Sequence, residues 1–135
     1  MLPSLSKSTF PTRRKLSDAI NKILRPYVKA CRDIVLVGHD INQDIQYLES
    51  IGIAILEVKG MSLVVDSQST HQAWKKSSNG RSLSAVLADL AIESKNLHNA
   101  GNDAVFTMRA LIGVAIEDIR QKKVEEGGGT YEPPF

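Results

Sequence analysis

The chain has 135 residues, of which 42% are hydrophobic and 24% are charged. These are ordinary values for one soluble globular domain. No apolar run approaches the roughly 20 residues that cross a bilayer, so the sequence predicts no membrane span. Because Cys31 is the single cysteine, an internal disulfide framework and a cysteine-based zinc site are excluded. With aromatic residues at 5%, an extended base-stacking platform is not expected.

The net charge of +2 is unevenly distributed along the chain. Four basic residues precede the first acidic residue, Asp18: Lys7, Arg13, Arg14 and Lys15. Removing these four charges from the total leaves −2 for residues 18–135. We therefore expect the basic character to lie at the N-terminal end and not to form a broad positive surface on the body of the domain.

Three segments are predicted: a flexible basic arm (residues 1–12), a folded domain (13–124) and a disordered tail (125–135). The arm lacks acids and contains Ser and Thr, which also fits a mitochondrial presequence, but an ordinary flexible terminus is the favoured interpretation. The glycines and prolines of the tail disfavour helix. The lone cysteine fits a reducing compartment. We expect an intracellular protein of the cytoplasm or nucleus, with mitochondria as the alternative.

The first half of the domain alternates helix and strand. Apolar residues at spacings of three and four predict a helix over residues 13–30, with Pro26 as a kink or an early stop. The run Ile34–Val37 predicts a strand buried on both faces. A helix is expected over residues 41–51, ended by Gly52. A short extended stretch is expected over residues 53–58.

The second half begins with a second buried strand, predicted over residues 62–66. A short helix is expected over residues 70–74, then a loop over 75–80. Ser82 is expected to cap the next helix, over residues 83–90. A long helix is predicted from about residue 102 to residue 123, with an apolar stripe facing the core. The residues of that stripe are Val105, Met108, Ile112, Ala115, Ile116 and Ile119.

Buried strands that alternate with amphipathic helices predict an α/β layered domain. Two strands make a small sheet for this number of helices, because independent stability generally needs three or more. The sequence therefore predicts a domain that is short of strands.

Two polar segments could carry chemistry. Gly38-His39-Asp40-Ile41-Asn42-Gln43-Asp44 follows the first strand, and His98-Asn99-Ala100-Gly101-Asn102-Asp103-Ala104 begins the last helix. Ends of strands and starts of helices are where α/β domains build sites. A structural interpretation is also open: Asp40 as a helix cap with Gln43 as its partner, and Asn102 and Asp103 as cap and first-turn acid.

Together the two segments resemble the second and third motifs of the DEDDh 3′–5′ exonucleases, of the ribonuclease H-like superfamily. Gly38, His39 and Asp44 match the second motif, with Asp40 where the family usually has Asn. His98, Asp103 and Ala104 match the third. Val64-Val65-Asp66 and Ser82-Leu83 resemble intervening family segments, so that the likeness covers about residues 32–115. The amino-acid sequence of these segments is similar to that of fungal ribonuclease H-like proteins, a group that includes an accessory factor of the mRNA-export helicase.

The resemblance implies a metal-dependent nuclease that acts on a single-stranded 3′ end of RNA or DNA. Asp44 and Asp103 would hold Mg²⁺ or Mn²⁺, which prefer carboxylate oxygens, in a two-ion site. His98 would be the general base, since its reference pKa lies near neutrality. By the same resemblance, His39, Asp40 and Asn99 would contact the nucleic acid.

The sequence departs from the family pattern most strongly in its acids, because no Asp-x-Glu occurs in the 135 residues. That pair supplies the other two metal acids from the first strand of the family fold, so the resemblance implies a ribonuclease H-like layered sheet with flanking helices that lacks the N-terminal strands. A piece of a longer protein, a short non-catalytic interaction module, and a chain completed by strands from another chain are three alternatives. The neighbouring strand would have an open edge, which invites a second copy or a partner chain. We expect this chain to be inactive by itself.

Overall fold

The computed structural model describes residues 12–127. Within them the chain forms five α-helices, one 3₁₀ turn and two strands, in a mixed α/β order. Most of the predicted flexible arm and tail, residues 1–11 and 128–135, lies outside the described part. The described chain divides into two compact units. Residues 12–35 and 42–63 form the first unit, and residues 36–41 and 64–127 form the second. Of the helices within residues 12–127, none combines the length and apolar character of a membrane span.

The first unit is built around two helices. Helix α1, Arg13–Lys29, is capped by the Thr12 side chain, which accepts from the Lys15 N–H at 3.2 Å. Pro26 lies inside α1 and does not end it. Helix α2, Ile41–Ser50, buries Ile45, and its end is closed by Gly52 with φ +85°.

The short stretch after α2 corrects one expectation. Residues 53–58 are not extended, because Ile55–Glu57 forms a 3₁₀ turn. The physical reason is local hydrogen bonding, because the Glu57 N–H donates to the Ala54 carbonyl at 3.1 Å and the Val58 N–H donates to the Ile55 carbonyl at 3.4 Å. Within this segment Ile53 and Ile55 are buried, at 7% and 6% exposed.

The two strands, β1 (Ile34–Gly38) and β2 (Met61–Asp66), pair in a small parallel sheet. Their positions confirm the sequence prediction, but their expected burial on both faces is wrong. Val35, Leu63 and Val64 are 48%, 56% and 38% exposed. Burial on both faces requires helices packed against both faces of the sheet. In the described chain these faces are only partly covered, so β-branched and aliphatic side chains remain at the surface.

The second unit packs three helices: α3 (Ser67–Lys75), α4 (Leu83–Asp89) and α5 (Ala100–Glu125). Ser82 caps α4 as expected, accepting from the Ala85 N–H at 3.3 Å. The core joins α4 to α5 through Val86, Leu87 and Ala110, each 0% exposed. Surrounding apolar side chains complete this core: Leu83, Leu90, Ile92, Leu97 and Phe106.

The buried face of α5 differs from the predicted stripe. Thr107, Ala110 and Val114 are buried, whereas four members of the predicted stripe are 40–50% exposed: Val105, Met108, Ile112 and Ile119. Close approach explains the choice of face. A Cβ added at Gly113 would lie 3.0 Å from Leu90 Cδ1, so the small residues of α5 let α4 and its following turn pack tightly.

Candidate functional site

The turn between β1 and α2 carries the first polar segment. Asp40 adopts φ +56°, a left-handed conformation that is uncommon outside glycine. Its backbone N–H donates to Asp66 Oδ1 at 2.8 Å. A carboxylate at the end of β2 therefore fixes the strained turn at the end of β1.

Asp66 is the anchor of this turn. Besides the Asp40 amide, Oδ1 accepts from the Gln68 N–H at 2.9 Å, which caps α3. Oδ2 accepts from the Ser69 hydroxyl at 3.2 Å. Three hydrogen bonds to one carboxylate hold a turn and a helix start together, and hydrogen bonds to a charged acceptor are among the stronger ones. From the sequence, Asp66 was recognised only as the end of a strand that resembles a family segment. Its hydrogen bonds to the turn and to the start of α3 were not predicted.

His39 is held at both ring nitrogens. Nε2 lies 2.7 Å from the Arg81 carbonyl oxygen, and Nδ1 lies 2.8 Å from Ser67 Oγ. Because a carbonyl only accepts, these partners assign a hydrogen to Nε2. Ser67 is 1% exposed, and its Oγ also lies 3.2 Å from the Gly38 carbonyl. The imidazole thus ties the β1–α2 turn to α3 and to the loop before α4.

The start of α5 carries the second polar segment. Asn99, not Asn102, is the N-cap: its side-chain oxygen accepts from the Gly101 and Asn102 N–H groups at 3.1 and 3.3 Å. Asp103 lies in the first turn as expected, and its Oδ1 accepts from the His98 N–H at 2.9 Å. His98 is exposed, with φ +73°. Asp103 therefore shapes the backbone that presents the His98 side chain to solvent.

Asp44 lies in the first turn of α2 and is exposed. It belongs to the first unit, whereas His39, Asp40, His98, Asn99 and Asp103 belong to the second. The structure brings Asp103 and the His98 backbone together within the second unit. The roles of these six residues in chemistry or binding stay predictions.

Within residues 12–127 no three His, Cys, Asp or Glu side chains are grouped so that they could hold a metal ion. The carboxylates of the described residues thus do not form a complete two-ion centre, which needs several oxygen ligands for each hard cation. No catalytic step through a metal follows from the described residues.

A buried histidine in the second unit was not singled out by sequence reasoning. His71 is 1% exposed, and its Nε2 lies 2.9 Å from Asp89 Oδ2. Its Nδ1 has no hydrogen-bond partner among the described residues, and Trp74 packs edge-on at 5.8 Å between ring centroids. No spacing or composition signal marked His71, because α3 is a mostly polar helix.

Residues 4–114 match the DEDDh family described as "DNA polymerase III subunit epsilon-like, C-terminal domain". The match covers most of the chain, and it spans both polar segments. The chain therefore belongs to the DEDDh exonuclease family and corresponds to its C-terminal domain, which confirms the resemblance found in the sequence.

One relative is an uncharacterized nucleolar protein of Schizosaccharomyces pombe. It is 35% identical to the chain over 100 residues, which make up 69% of this chain and 40% of that protein. The chain thus spans about two fifths of the length of the relative that it matches.

Proposed function

We propose that this chain is a nucleic-acid-processing domain of the 3′–5′ exonuclease type, which binds single-stranded nucleic acid but does not cleave it by itself. The family match over residues 4–114 is the observation that carries the proposal. Within these residues, the polar segments 38–44 and 98–104 resemble two motifs of the family in residue type and spacing. In this proposal the domain has the ribonuclease H-like arrangement of a layered sheet and flanking helices.

The proposed division of labour follows the family motifs. Asp44 and Asp103 are the proposed metal acids, because Mg²⁺ and Mn²⁺ prefer carboxylate oxygens. His98 occupies the position of the family's general base, and its side chain at the start of α5 is exposed. His39, Asp40 and Asn99 line the path of the nucleic acid, through backbone groups where their side chains are already engaged.

Absence of turnover is proposed from the ligand count. Two carboxylates are half of the acids that two-ion chemistry uses, and the chain contains no Asp-x-Glu. The nucleolar relative supports a nuclear location.

A second candidate is a non-catalytic interaction module, such as an accessory protein of RNA export or RNA metabolism. The open side of the two-stranded sheet favours it, because β1 pairs with β2 alone within the described residues. In this version a second copy or a partner chain adds a strand.

An assay with single-stranded oligonucleotides separates these candidates. The full chain is incubated with a 3′-labelled 20-nucleotide RNA or DNA and Mn²⁺, and both binding and mononucleotide release are recorded. We expect binding without release. Release that disappears in Asp103→Ala would show a working exonuclease and contradict the proposed inactivity. Failure to bind either oligonucleotide would favour the interaction module.

A further inference from the structure

Helix α1 is much more basic than the rest of the described chain. Its 17 residues include six Lys or Arg and one acid, Asp18. All six basic side chains are exposed: Arg13, Arg14, Lys15, Lys22, Arg25 and Lys29. None of them forms an ion pair within residues 12–127, where the described ion pairs involve α3, α4 and α5. This charge continues well beyond the short basic segment that the sequence alone indicated.

The basic residues of α1 form a stripe. At 3.6 residues per turn, five of the six basic residues fall within about 100° of arc. Arg13 and the apolar residues fall outside this arc, whereas the acid Asp18 falls within it. The stripe runs from Arg14 to Lys29, which is about 22 Å at 1.5 Å per residue. One nucleic-acid strand carries a charge about every 3.4 Å along the axis, so a stripe of this length faces roughly six phosphates.

A groove in the first unit lies beside this stripe. Arg25 and Lys29 line it from α1, and Lys59 lines it from the segment before β2. It has a volume of about 370 Å³. The other residues that line the groove are the polar Asn21 and three apolar residues: Leu24, Val28 and Val58. Three cations from two segments of the chain thus surround one open groove that contains no acidic residue.

Charge and shape together define the ligand. A groove with cations at its rim and an apolar floor suits a polyanion whose less polar parts can lie between the phosphates. No aromatic side chain lines the groove, so stacking cannot select bases there. Contacts to phosphates fix position without reading sequence.

We infer that the α1 groove, with Arg25, Lys29 and Lys59 at its rim, binds the phosphate backbone of single-stranded nucleic acid without sequence preference. The inference rests on the proposed function for the kind of polyanion, but it does not depend on catalysis or on any metal acid. The stripe would guide the strand along α1, and the groove would hold it at the end of the helix near Lys29.

The test is the salt dependence of binding, measured by fluorescence anisotropy of a labelled 20-nucleotide oligouridylate with the full chain. Six phosphate contacts predict a log–log slope of about −4, so that affinity falls about 300-fold between 50 and 200 mM salt. Arg25→Gln, Lys29→Gln and Lys59→Gln together should reduce the slope to about −2 and the loss to about 20-fold. An oligoadenylate should behave in the same way.

The matched control removes three exposed cations of the second unit: Lys76→Gln, Lys95→Gln and Lys123→Gln. It has the same net charge as the groove variant and should keep a slope near −4. A third variant, Arg25→Lys, Lys29→Arg and Lys59→Arg, retains the charges and should bind like the wild type. It keeps the test valid if the neutralised groove variant fails to fold.

Equal slopes in the groove and control variants would overturn the inference while leaving the proposed function intact. No binding by the wild type would overturn both. A basic amphipathic helix can also lie on an anionic membrane, so phosphatidylserine vesicles are tested in parallel. Binding to vesicles but not to the oligonucleotide would identify α1 as a membrane-surface helix and refute the inference.

Discussion

Replacing Asp66 tests the anchor that joins the two strand ends. In Asp66→Ala the N–H groups of Asp40 and Gln68 lose their acceptor, and the Ser69 hydroxyl loses its partner. Asp66→Asn is the matched control, because its amide oxygen can take the place of Oδ1 for both N–H groups. The difference between the two variants isolates the acceptor from the negative charge.

The magnitude follows from the two backbone hydrogen bonds that Asp66 accepts. Loss of the α3 cap costs about 1 kcal/mol. Loss of the bond between a charged carboxylate and the Asp40 amide costs about 1.5–3 kcal/mol, since that amide is partly buried. We therefore expect Asp66→Ala to lower the free energy of unfolding by about 3 kcal/mol, and Asp66→Asn by about 1 kcal/mol.

Urea unfolding followed by circular dichroism measures both changes, and hydrogen exchange locates them. Exchange at the Asp40 and Gln68 amides should accelerate in Asp66→Ala much more than exchange in the core of α5, because the loss is local. If the Ala and Asn variants were equally stable to within about 0.5 kcal/mol, the two backbone hydrogen bonds would not be the source of the stability.

Two further predictions concern packing and backbone conformation. Leu87 is 0% exposed, so Leu87→Ala should lower the free energy of unfolding in urea by about 2–5 kcal/mol. Leu63 is 56% exposed, and Leu63→Ala should change this free energy by no more than about 0.5 kcal/mol. Similar losses in the two variants would contradict the assigned core. Gly60→Ala should lower the thermal midpoint more than Gly52→Ala. Both glycines have positive φ, but only at Gly60 would the new Cβ meet a backbone atom, the Arg32 carbonyl oxygen, at 2.8 Å; equal midpoints would show that this contact relaxes freely.

The sequence predicted the order of helices and strands well, because periodicity and caps are local signals. Ser82 before an apolar run gave the start of α4, and a four-residue aliphatic run gave β1. The residue considered as the N-cap of α5, Asn102, lies three residues after the observed N-cap, Asn99. Asn99 and Asn102 are both good caps, and only the hydrogen bonds of the folded chain distinguish them.

Burial was predicted less well, because it depends on which elements pack together. Met108 and Ile112 follow a helical spacing, yet α5 buries Ala110 and Val114 instead, since small residues permit closer helix packing. The same holds for the candidate site. Spacing identified the two polar segments, but the bonds of His39 to Ser67 and Arg81 join residues 28 and 42 positions apart, a distance at which no sequence pattern operates.

The central claim is that this chain keeps two metal acids of the family, Asp44 and Asp103. Paramagnetic broadening by Mn²⁺ tests it directly, because weak binding suffices to broaden backbone amide signals near the ion. We predict that the amide signals around Asp44 and around Asp103 both broaden during the titration, and that Asp103→Ala removes the broadening around residue 103. Sharp signals around either residue at the end of the titration, or unchanged broadening around residue 103 in the variant, would contradict the claim.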